Sequence, residues 1–132
     1  MWAFDNDYTD LYGNFPGVGV NSPTFVSPGI NGYGTCLYLT RAQSQSVTIY
    51  SPPFLNMAWT SFSLVAWVKA TSFTNGYMED NAIFGQFDQN VQDRSLHIIV
   101  RTQLIYLGFY GDDSQGVITL YPGNWYHVCI TS

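Results

Sequence analysis

The side chains that could do chemistry are few: nine carboxylates, two histidines, four basic residues and two cysteines. Glycoside hydrolysis needs two carboxylates at a set separation, one of them acting as acid. Glu79 is the only glutamate and stands beside Asp80 in a turn-like stretch. The other acids, Asp5, Asp7, Asp10, Asp88, Asp93, Asp112 and Asp113, fall at strand ends or in loops. No Gly-x-Ser-x-Gly elbow is present for a nucleophilic serine. His97 and His127 read as ordinary strand histidines. The chain reads as non-enzymatic.

Calcium takes six to eight oxygens from carboxylates and loop carbonyls. Asp5, Asp7 and Asp10, with Asn6, make one acidic loop, and Asp112 with Asp113 makes another. The first lacks the full EF-hand pattern. Each loop has two readings, a calcium ligand set or turn-capping Asx side chains. No cofactor is required, and calcium is the ion these acids would suit. Zinc is disfavoured by two cysteines and two histidines on scattered strands. Cys36 and Cys129 either bridge, if their strands neighbour each other, or stay free.

A third set suits ligand binding. His97, Arg101, Tyr106 and Tyr110 share one face of an expected hairpin. Tyrosine rings can stack on sugar faces, and arginine can hold a polar or acidic group. The competing reading is that this face is simply a covered side of a sheet. Trp2, Trp59, Trp67 and Trp125 read as core or rim residues.

These side chains need strands to position them. Aromatics make up 17% of the chain, and with the β-branched residues they favour strand over helix. Residues 2–5 read as an opening strand, and glycines and prolines mark 6–34 as loops and turns. Residues 35–40 and 46–50 read as short strands, the second ended by Pro52 and Pro53. Residues 61–70 (SFSLVAWVKA) alternate, with Phe62, Leu64, Ala66 and Val68 on one face. A strand over 82–87 follows. Residues 96–110 read as a hairpin turning at Thr102 and Gln103, with Arg101 opposite Leu104 and Ile98 opposite Leu107. That register makes one face wholly apolar: Leu96, Ile98, Val100, Ile105, Leu107 and Phe109. Residues 116–120 and 124–131 supply the last strands. Many short antiparallel strands with regular turns imply an all-β sandwich.

With 132 residues the chain suits one domain. Its net charge of -5 and four basic residues give no footprint for nucleic acid. No apolar run is long enough to insert in a membrane as a helix. No signal-peptide pattern opens the chain.

Several stretches resemble laminin-G-like domains of the concanavalin A-like lectin/glucanase superfamily. They run in order as WAFD with Asp10, GINGYGTCLYL, SVTI, SFSLVAWVKA, IFGQ, LIYLGFYGDD and GNWYHVCIT. The resemblance spans essentially all of residues 1–132. It implies an antiparallel β-sandwich, the concanavalin A-like jelly roll, lacking its last strands after 131. The Glu-x-Asp-x-x-Glu arrangement of the superfamily's hydrolases is missing. The implied function is a recognition or adhesion module, extracellular or at a cell surface, that binds a glycan or an extracellular protein. The alternative is a structural subunit whose open sandwich is completed by strands from another copy or by further segments of a parent protein.

Overall fold

The computed structural model describes residues 1–50, 57, 60–76, 79–87 and 95–132. Among the described residues the strands all pair antiparallel, and the helical pieces are two short 3-10 turns. The chain divides into two compact units, Met1–Asn56 and Met57–Ser132.

The first unit holds two ribbons. β1 (Gly17–Val20) pairs with β4 (Ser46–Ile49), and β2 (Thr24–Val26) pairs with β3 (Cys36–Tyr38). Tyr8 organises them. Its ring lies 5.1 Å from that of Phe25, and its hydroxyl donates to the Pro23 carbonyl at 3.1 Å. The ring can cross β1 because Gly19 has no side chain. A Cβ there would stand 2.7 Å from the Tyr8 Oη. The loop expected over 6–34 is therefore too broad, since β1 and β2 both lie within it. The expected strand over 2–5 reduces to a single bridge between Trp2 and Asp10. Phe4 and Asn6 have φ of 55° and 67°, left-handed values that break an extended run. Pro52 and Pro53, read as a strand end, lie outside the described residues.

The second unit holds a four-stranded sheet and a ribbon. β6 (Asn81–Phe87), β7 (Ser95–Arg101), β8 (Leu104–Gly108) and β9 (Ser114–Gln115) are hydrogen-bonded in that order. β5 (Ser63–Val68) pairs with β10 (Tyr126–Thr131). β7 is central in its sheet and buried on both faces, with Leu96, Ile98, Ile99 and Val100 in the core. The consecutive apolar residues Ile98, Ile99 and Val100 are what a strand covered on both sides requires. Leu120 and Val128 complete the buried apolar set.

The β7–β8 register is the expected one: Arg101 faces Leu104, Val100 faces Ile105 and Ile98 faces Leu107. The ladder stops at His97 opposite Gly108, so the expected pairing of Leu96 with Phe109 does not extend it. The strand expected over 116–120 does not form. Gly116 and Leu120 are tethered by single amide bonds to the Ile105 and Gln103 carbonyls. Between them Val117 and Ile118 are 93% and 70% exposed, so this apolar run has no sheet to enter.

Candidate functional site

Arg101 sits at the end of β7, where the next strand over begins at Asn81 opposite Val100. Asp80 thus arrives beside the guanidinium. Arg101 Nε donates to Asp80 Oδ1 at 2.7 Å, and Nη2 donates to Asp80 Oδ2 at 3.1 Å, a bidentate pair. The third nitrogen, Nη1, donates to Asp113 Oδ2 at 3.1 Å. The Asp80 carboxylate, and then Asp113, hold Arg101 even more firmly protonated than usual. The guanidinium carbon lies 5.2 Å from the Tyr106 ring centroid. Tyr106 Oη donates to Gln115 Oε1 at 2.6 Å, tying β8 to β9.

His97 completes the cluster. Its Nε2 lies 3.0 Å from Asp113 Oδ1, and its Nδ1 lies 3.0 Å from the Ser95 carbonyl. Asp113 is therefore shared, one oxygen toward Arg101 and the other toward His97. His97, Arg101 and Tyr106 share one face, as the hairpin pattern predicts. Tyr110 does not join their ladder. It follows the end of β8 with φ 76° and its ring half exposed. Asp80 had not been assigned to this group, because its place follows from the β6–β7 register and not from the hairpin. Asp80, Arg101, Asp113 and His97 bond one another, so the three guanidinium nitrogens of Arg101 are engaged within the cluster.

The five acids of the calcium reading each serve their own partners. Asp5 Oδ1 accepts from the Thr35 amide at 3.0 Å and the Thr35 hydroxyl at 2.9 Å. Asp7 Oδ1 accepts from the Thr9 hydroxyl at 2.6 Å and the Thr9 amide at 2.9 Å, which hold its carboxyl below the usual range. Asp10 is buried. The Met1 ammonium at 2.5 Å, aided by the Asn14 amide, holds its carboxyl low against the opposing effect of burial. Asp112 Oδ1 caps the Phe109 amide at 2.9 Å, the Asx role expected of a turn acid. Among the described residues no three His, Cys, Asp or Glu side chains gather as metal ligands. Cys36 and Cys129 are both free thiols, one in each unit.

A second surface lies on the β5–β10 ribbon. Pairing places Trp67 opposite His127, Val65 opposite Cys129 and Ser63 opposite Thr131 on one face. The Trp67 and His127 rings stack at 4.7 Å with a 34° tilt. Lys69 Nζ stands 5.9 Å from the Trp125 ring. This face is open, with Trp67 52% and Val65 56% exposed. The opposite face carries Leu64, Ala66, Val128 and Ile130, which are half-buried or buried. Trp2 is half-buried and donates its indole N–H to the Phe15 carbonyl at 2.7 Å. Trp59 lies outside the described residues. Beside β10 an apolar groove of about 380 Å³ is lined by Ile105, Leu107, Val117, Ile118, Leu120 and Val128.

No family model, curated protein or solved structure matches this chain.

Proposed function

We propose that the chain is a non-enzymatic extracellular recognition or adhesion module, a laminin-G-like sandwich of the concanavalin A-like type. Its contact surface for a glycan or protein ligand is the outward face of the β5–β10 ribbon. One observation carries this reading. Trp67 stands half exposed on that face, stacked on His127 and flanked by Val65, Lys69 and the Ser63–Thr131 hydroxyl pair. An exposed indole offers a flat apolar body for a sugar or an apolar side chain, and the polar rim supplies hydrogen bonds. The polar groups of the His97–Arg101 cluster, the alternative ligand site, are already bonded to one another. The cluster supports the scaffold in this reading.

The test is a glycan array and a protein-binding screen, each run with and without chelator on the intact chain. A ligand found there is measured again on Trp67→Ala. An affinity loss of about tenfold or more is expected, the scale of a hot-spot aromatic. A screen without a ligand, or unchanged affinity in the variant, counts against the assignment.

A second reading rests on the strand pairing. Among the described residues β5 and β10 each pair with one strand only, so the ribbon has two open edges. A strand from a neighbouring chain could add to either edge, making the protein a subunit of an extracellular assembly. Sedimentation separates the two readings. A chain that stays monomeric at high concentration removes the second.

A further inference from the structure

The His97 ring poses a proton-counting problem. Both of its nitrogens lie 3.0 Å from oxygens, the Ser95 carbonyl and Asp113 Oδ1. A carbonyl and an ionised carboxylate only accept hydrogen bonds. A neutral imidazole has one N–H, so it satisfies one of these oxygens and turns a lone pair toward the other. The doubly protonated ring satisfies both. The charges agree with this count. Asp80, Arg101 and Asp113 sum to one negative charge, and the imidazolium brings the cluster to neutrality.

Among the described residues the other elements add no competing charge. His97 faces Gly85 on β6 and Gly108 on β8, neither of which has a side chain. Arg101 reaches His97 only through Asp113, and Asp80 only through Arg101. Tyr106 is engaged with Gln115, and Asp112 with the Phe109 amide. Among the described residues Asp113 is the acid in contact with the ring.

We propose that His97 is a proton-dependent latch on residues 109–115. Asp113 is that segment's side-chain anchor to β7, beside the bond from the Ser95 amide to the Phe109 carbonyl. With two protons His97 binds Asp113 and the Ser95 carbonyl together. With one proton it loses one of those bonds and the charge that strengthens the other, and the segment is held chiefly by Arg101, the β8–β9 pairing, the Tyr106–Gln115 bond and the turn's own bonds. The latch therefore closes as pH falls through the range where histidine gains its charge, and it loosens as pH rises through that range.

The experiment is amide hydrogen exchange on the intact chain at about pH 5.5 and about pH 8, on either side of the histidine range. Rates are expressed as protection factors, so the intrinsic pH dependence of exchange cancels. The Ile98 amide in the core strand is the reference. Protection of the Phe109 and Gly116 amides relative to Ile98 is expected to be about three- to tenfold higher at the lower pH, the scale of one ordinary net hydrogen bond. His97→Gln carries a donor at both pH values, so the difference should vanish in it. Asp113→Asn removes the acceptor charge and should abolish the difference too, and it serves alone if His97→Gln does not fold. Equal protection at the two pH values in the unaltered chain overturns the proposal. So does a difference that persists in a folded variant, or one that Ile98 shares in full.

Discussion

Gly108 stands opposite His97 where the polar cluster needs space. A Cβ there would fall on the Asp113 carboxylate and 2.8 Å from His97 Nε2. The atoms in the way are side-chain ends, the Asp113 carboxylate and the His97 ring, so an added methyl group is expected to push Asp113 outward. Gly108→Ala is expected to sever the His97 and Arg101 contacts to Asp113 while leaving the bidentate Asp80 pair intact. The cost should be about 1 kcal/mol or less, because the displaced groups are side-chain ends partly open to water. Urea denaturation checks it, and an unchanged midpoint would mean that Asp113 swings aside freely. Half of this cluster was legible in the sequence. His97, Arg101 and Tyr106 share a face by simple alternation along two strands. Asp80 was not legible, because it meets Arg101 only through the pairing of Asn81 with Val100.

The β7–β8 hairpin shows how an element can be correct in register and poor in turn chemistry. Thr102 and Gln103 have φ of 47° and 63°, so both central residues are left-handed. Two-residue hairpin loops of this geometry favour Asn-Gly, and a β-branched threonine there is strained. The apolar faces of Ile98–Leu107 and Val100–Ile105 set the register in spite of the turn. The double variant Thr102→Asn, Gln103→Gly should therefore raise stability by about 1–2 kcal/mol, the relief expected from a left-handed penalty. A higher urea midpoint with an unchanged slope is the expected result. No gain would mean that the Thr102 and Gln103 side chains compensate elsewhere. The expected strand over 116–120 fails for the opposite reason. Its residues have β propensity, but beyond the single bonds from Gly116 and Leu120 no strand edge among the described residues takes them up, and Val117 and Ile118 stay in solvent.

For the whole molecule, the core of unit Met57–Ser132 centres on β7. Ile98 is fully buried, and it pairs with Phe84 on one side and Leu107 on the other. Ile98→Ala removes three carbons from a packed site and is expected to cost about 2–5 kcal/mol. Thermal melting of the variant would measure it. A loss under about 1 kcal/mol, well below that range, would show that the site collapses around the smaller residue. Unit Met1–Asn56 relies on a different economy. Tyr8, Phe25 and close glycine approaches do the packing there, and Asp10 is one of the few polar groups buried.

The alternation of apolar and polar residues by itself determined the all-β character, the β5 and β10 faces and the hairpin register. These follow from the two-residue repeat of a strand, which any linear reading can follow. Tertiary structure alone decided which strands are neighbours. That choice brought Asp80 and Asp113 to Arg101, turned Trp67 and His127 outward as a stacked pair, and left residues 116–120 unpaired. The reason is physical. Pairing between strands depends on which edges and faces meet, and sequence spacing carries no term for that meeting.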